Sequence, residues 1–234
     1  MKKEKSIFAL REYYSQYFFL AAKSFTERLK EIEENAFTTP ELNLLHITYA
    51  TNSILSTVAF LEAAINEFYQ DIYDDHREYV GELDKRVVSK IVKKWKETEL
   101  GKKRIKLLEK YQFALEVFER DKFNKGKGIY QNVDLVIDLR NILTHYKPTT
   151  RNIDDTIHIE NKLRSKFQEN RLLKDTQLPF FPKKCLGFGC SNWAFNSCKK
   201  FTDEFAERMK IKMNYQTLEK TRNTPTLNIF IKPS

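Results

Sequence analysis

The sequence predicts an all-α fold: a bundle of about five main helices spanning residues 1–213 as one domain, with a long loop before the last helix and a short extended C-terminal tail over 214–234. Two observations carry this. Apolar residues recur at steps of three and four through most of the chain, the period of a helix with one buried face. Only six glycines and six prolines occur in 234 residues, and long stretches contain neither, which disfavours a turn-rich β fold. With 41% hydrophobic and 13% aromatic residues, the chain has the composition of a globular protein that buries a core.

The first helix is expected from about Ser6 to Asn35, with Leu10, Tyr14, Tyr17, Phe18, Ala21, Phe25, Leu29 and Ile32 as its apolar face. Thr39-Pro40-Glu41 then reads as an N-cap with proline at the first helical position. The second helix, about Pro40 to Asp74, carries the most regular stripe: Ile47, Ile54, Val58, Leu61, Ile65, Phe68 and Ile72. Small residues flank that stripe (Ser53, Ser56, Thr57, Ala59, Ala63, Ala64), so a neighbouring helix can approach closely. Residues 82–123 hold one or two further helices rich in lysine, and "FNKGKGIY" (Phe123–Tyr130) is a turn too short and wrongly spaced for a Walker-type phosphate loop. A helix from Tyr130 to about Tyr146 follows. Beyond Pro148 come the polar stretch "KPTTRNIDDTIHIENKL" and the loop "RLLKDTQLPFFPKKCLGFG". The last helix, about Asn192 to Met213, sets Trp193, Phe195, Cys198, Phe201, Phe205 and Met209 largely to one side, and "TLNIFIKP" in the tail alternates like a short strand.

A formal charge of +9 and a pI near 9.3 suit a polyanionic partner, because each phosphate contact by Lys or Arg releases counterions; the same charge also serves solubility. The lysine-rich segment 82–123 is open to the same two readings, a phosphate-tracking surface or a solvated helix face. The N-terminal apolar run is broken by charges, so no signal peptide is expected, and no run of about 18 uncharged apolar residues predicts a membrane span. Cys185, Cys190 and Cys198 are odd in number and lie close together, which argues for buried thiols in a reducing cytoplasm. Their spacing, C-x4-C-x7-C with no nearby histidine, does not fit a zinc site, and no metal or other cofactor is expected.

The chemistry concentrates in "IDLRNILTHYKP", Ile137 to Pro148. On a helix Asn141 and His145 share a face, while Arg140 lies about 100° round the axis with a side chain long enough to swing toward them. Pro148 disfavours helical geometry at Lys147, so His145 falls in or near the last turn. The free carbonyls there favour imidazolium and a neighbouring Arg140 favours neutral imidazole, a balance suited to proton transfer near neutrality. Cutting RNA requires a group that takes the 2′-OH proton and a group that stabilises charge on the phosphate. Histidine and the planar guanidinium of arginine supply these, and Asn141 can orient either one. One histidine does not easily serve both proton transfers, so a symmetric dimer that brings two copies together would complete the site. The same residues also fit a plain solvated helix end.

The pattern Arg140-Asn141-x3-His145, on a late helix of an all-α bundle, resembles the R-x4-6-H signature of the HEPN-domain family. "STVAFLEAAINEFY" (Ser56–Tyr69) is similar to an early core helix of a bacterial branch of that family, and "SNWAFNSCKKFTDEF" (Ser191–Phe205) to its following helix. The resemblance covers about residues 40–210. It implies a four- to five-helix bundle that dimerises with its motifs face to face, and a metal-independent endoribonuclease that leaves a 2′,3′-cyclic phosphate and acts as a toxin or antiviral effector. Carried onto this chain, Arg140 would bind the scissile phosphate, His145 would transfer the proton and Asn141 would assist. Glu62, or else Glu67, would be the acidic residue supporting the site. Partners implied are RNA as substrate, a second copy of the chain and a separate antitoxin or regulatory protein. Some members of the family are instead silent dimerisation modules or bind nucleotides or proteins.

Overall fold

A computed structural model of the chain describes residues 11–35, 40–76, 83–99, 105–148, 150 and 157–218. These are all-helical, with no strand among them. The helices are α1 (Tyr14–Asn35), α2 (Pro40–Tyr73), α3 (Lys85–Glu99), α4 (Leu107–Val117), α5 (Ile129–Thr144), α6 (His158–Leu163) and α7 (Phe188–Met209). A π-type turn at Phe180–Lys184 and a 3₁₀ turn at Asn214–Thr217 complete them. The expected second helix and the motif helix end within two residues of their observed ends. The long segment before the last helix is more structured than its polar composition implied, since α6 and the π-type turn interrupt it. The strand expected in "TLNIFIKP" lies outside the described residues.

The long helix α2 forms the centre of the bundle, touching α1, α3, α4, α5 and α7. Ile54, Val58, Leu61, Ile65 and Phe68 along it are fully buried. The stretch Asn43–Tyr73 is long and apolar enough by composition to cross a membrane, and 44% of its apolar window is buried inside the bundle. Ser53, Thr57 and Ala64 are also sealed, as the small-residue flank predicted. Aromatic rings from four elements meet over the α2 stripe, with Phe19 and Phe60 5.4 Å apart and Phe60 and Tyr215 4.8 Å apart.

The α1 helix differs from the expected phase. Its buried positions are Ser15, Phe19, Ala22, Thr26, Leu29 and Glu33 with Ile32 beside them, at alternating steps of four and three. Tyr14 and Tyr17, expected to face inward, are exposed. Three seam positions are polar, and each meets a polar partner on α2. The Ser15 N–H and Oγ–H donate to the two oxygens of Glu67 at 2.7 and 2.6 Å. Thr26 Oγ1 lies 2.8 Å from Ser53 Oγ. Glu33 Oε1 lies 2.9 Å from His46 Nε2. As the α1 numbers rise the α2 numbers fall, so these contacts form an antiparallel ladder that fixes the register of the pair. Counting hydrophobic residues alone selects the more apolar face; satisfying buried polar groups selects this one. Among the described residues α1 begins at Tyr14, and Glu67 accepts the free N–H of Ser15 in its first turn; the expected start near Ser6 lies outside the described residues.

Glu33 does more than hold His46. Its Oε1 also accepts the Phe188 N–H at 2.6 Å, and its Oε2 the Arg171 N–H at 3.3 Å. A carboxylate from the end of α1 thus caps the N-terminus of α7, where the helix dipole favours negative charge. The neighbouring glycines make this close packing possible. A Cβ on Gly187 would sit 2.6 Å from Glu33 Oε1, and one on Gly189 would sit 2.2 Å from the Gln168 carbonyl oxygen. Asn170, itself buried, ties the same corner by donating to the Leu186 carbonyl at 3.2 Å and accepting the Leu172 N–H at 3.0 Å. The two glycines therefore belong to a helix start, and α7 begins four residues before the predicted Asn192.

The same helix ends at Met209, and the chain continues into the core: Tyr215 is fully buried and its hydroxyl donates to Asp203 at 2.6 Å. The chain is thus still packed against the bundle at Tyr215. Cys185, Cys190 and Cys198 are unpaired and buried, and burial pushes the Cys190 and Cys198 thiols well above the ordinary thiol range.

Replacing Glu33 by Gln should lower unfolding stability by about 3 kcal/mol, since charge-assisted bonds to three groups are lost in a buried site. Urea denaturation measures this, with exposed Glu34→Gln as a reference expected to change stability by less than about 0.5 kcal/mol. Equal effects for the two variants would refute the capping role.

Burial raises the Glu67 carboxyl from 4.5 to about 7, against the stabilising hydrogen bonds from Ser15. Because the folded state holds this proton more tightly, the associated stability is present at low pH and is lost as pH rises from 4.5 to about 7. Glu67→Gln should remove this part of the profile, about 3 kcal/mol. The check is the difference between wild-type and variant stability from pH 4.5 to about 8; a flat difference would contradict the assignment.

Candidate active site

The α5 helix positions the motif. Gly128 precedes it at φ +67°, a conformation that glycine adopts without strain, so the turn after Lys125 can enter the helix. Val133, Val136 and Leu139 are fully buried, while Ile137, Ile142 and Leu143 pack partly against the core. These contacts anchor the helix against α7 and α2. The helix closes as the residues before Pro148 predict: the Thr144 Oγ1–H donates to the Arg140 carbonyl at 2.8 Å, and the His145 N–H to the Asn141 carbonyl at 2.9 Å.

Asn141 and His145 line one open cleft of about 430 Å³ at this helix end, together with Ile142, Tyr146 and Lys147. Ile157 and Phe181 form its far wall. Both motif residues are exposed, so a ligand in the cleft reaches them directly. Phe181 comes from the π-type turn, and Ile157 immediately precedes α6. The wall is therefore built by the segment that Glu33 and Asn170 pin to the start of α7.

Arg140 does not line this cleft. It is half-buried, and its Nε is sealed from solvent without a hydrogen-bond partner. A buried guanidinium nitrogen with no acceptor is costly, and an anion or a second protein surface offers what it lacks. Glu62 is not brought to the cleft either. It lies half-buried on α2. The residues that line the cleft do not include Glu62. Glu67 is engaged in capping α1.

Three polar residues outside the Arg140-Asn141-x3-His145 pattern lie next to this cleft. A second cleft of about 300 Å³ adjoins the first and shares Ile142 and Ile157 with it. It is lined by His158, Lys162 and Asp138. Burial and the neighbouring Asp134 hold the Asp138 carboxyl above the usual range, against the pull of Lys162 and His158. The only local signal in "TIHIENKL" is the step of four from Ile159 to Leu163, with Glu160 placed where its side chain accepts the Ile157 N–H, at 3.4 Å.

A larger cleft of about 580 Å³ lies elsewhere, between α3, α4 and the end of α7. Arg86, Lys90, Arg120 and Lys210 rim it with Asp84 and Glu119, and it holds no histidine, cysteine or hydroxyl nucleophile. Size therefore does not single out a site, and Asn141 and His145 meet in the smaller cleft at the end of α5. Among the described residues no three His, Cys, Asp or Glu side chains converge to hold a metal ion. Comparison of the chain with protein-family models, with curated proteins and with solved structures finds no match.

Proposed function

We propose that this chain is a HEPN-type, metal-independent endoribonuclease of the cytoplasm that acts as a homodimer in a toxin or antiviral-defence role. The observation that carries the reading is the pairing of Asn141 and His145 in one open cleft at the end of α5, with Lys147 beside them. In this reading the RNA backbone lies across the cleft. His145 takes the proton from a ribose 2′-OH, the 2′-oxygen bonds to phosphorus, and the bond from phosphorus to the 5′-oxygen breaks. The leaving oxygen takes a proton from the second copy's imidazolium, giving a 2′,3′-cyclic phosphate and a free 5′-OH. Arg140 from either copy stabilises the charge on the phosphate, and the unsatisfied Nε is consistent with a partner supplied at that point. A separate antitoxin or regulatory protein would hold the activity in check.

One observation favours a second reading. Arg140 stands outside the cleft that Asn141 and His145 line, the arrangement expected of a catalytically silent module that dimerises or binds a nucleotide or protein.

The purified chain should cut single-stranded RNA with EDTA present and leave cyclic-phosphate ends, while His145→Ala should slow cleavage by roughly 10²–10⁴-fold. Electrophoresis of end-labelled RNA with phosphatase-sensitive end analysis measures both. Intact RNA after incubation with wild type, together with equal growth of cells expressing wild type and His145→Ala, would exclude the enzyme and leave the binding module.

A further inference from the structure

The cleft at His145 is one end of a longer feature. His145, Ile142, Asp138, Leu135 and Gln131 recur at steps of three and four, so they share one face of α5. Three clefts lie along that face in succession. The first two share Ile142 and Ile157, and the second shares Asp138 and Lys162 with a third of about 460 Å³. The opposite wall is α6 and the turn after it, running antiparallel to α5. Ile157 stands opposite Ile142, Lys162 opposite Asp138, and Ser165 and Lys166 beside Asp134. From Gln131 to His145 the groove extends about 21 Å.

Charge divides this groove lengthwise. The α6 wall carries Lys162 and Lys166, both exposed, and the α5 wall carries Asp134 and Asp138. We propose that the groove is the track for single-stranded RNA leading away from the scissile phosphate, a proposal that rests on the nuclease reading of the His145 end. A stacked strand rises about 3.4 Å per nucleotide, so the groove holds roughly six nucleotides. Phosphates lie against Lys162 and Lys166 and are kept off the opposite wall by the two carboxylates. Ribose hydroxyls and base exocyclic amines, which are hydrogen-bond donors, face Asp134, Asp138 and Gln131. A duplex has its base edges paired and does not offer them in this way, so the groove selects unpaired RNA.

The test uses the full chain carrying His145→Ala, so that RNA stays intact, and fluorescence anisotropy with a labelled ten-nucleotide single-stranded RNA of mixed sequence. Lys162→Gln/Lys166→Gln should weaken binding roughly tenfold. It should also reduce the slope of log K against log salt by about 1.4, two phosphate contacts at about 0.7 each. The control Lys90→Gln/Lys93→Gln, on exposed positions of α3, removes the same charge and should leave affinity and slope nearly unchanged. No binding by the parent, unchanged binding by the groove variant, or an equal loss in the control would each overturn the track. The outcome is separable from the cleavage experiment. Groove-dependent binding by a chain that never cuts RNA keeps the track and removes the nuclease, whereas cleavage with groove-independent binding does the reverse.

Discussion

The carboxylate of Glu33 is buried and held by three distant parts of the chain at once: His46 on α2, the backbone at Arg171 and the first residue of α7. A buried carboxylate is tolerated only when hydrogen bonds replace the water it has lost, so the three groups must arrive together or the site is unstable. That requirement fixes where α1 ends relative to α2. It also fixes where α7 begins and how the segment between α5 and α7 folds back. Ile157 and Phe181, which wall the cleft at His145, belong to that segment. The geometry of the candidate site therefore depends on a residue that does not line it.

The ladder between α1 and α2 repeats the same principle along its length. Glu67 caps the start of α1 as Glu33 caps the start of α7, and Thr26 with Ser53 joins the middle. Apolar side chains alone tolerate sliding by a turn at modest cost, whereas a buried carboxylate set against the wrong neighbour does not. Polar residues in this seam specify the register, while the aromatic cluster around Phe60 and Tyr215 supplies apolar burial.

The candidate site shows a division between a helix that carries its side chains and a segment that shapes the cleft around them. Asn141 and His145 share a face because of their spacing, and the helix stops at Thr144, shortly before Pro148, leaving His145 exposed. Where Arg140 points and which wall stands opposite were set by packing. His158 and Lys162 come from a short helix within a polar stretch, and they join the site only because α6 runs back along α5. An isolated helix of six residues is not stable by its own propensity, so composition gave little reason to place one there.

The all-α class, the span of α2 and the end of α5 were legible in the residues alone, because apolar periodicity, proline and the scarcity of glycine act on the chain locally. So was the pairing of Asn141 with His145, since four residues on a helix make a little over one turn. The face that α1 buries, the early start of α7 at two glycines, the separation of Glu62 from the cleft and the groove between α5 and α6 emerged with the packed fold. Each of these turns on a partner more than ten residues away in the chain. A buried polar group chooses such a partner by geometry, and hydrophobic spacing in one segment holds no record of that choice.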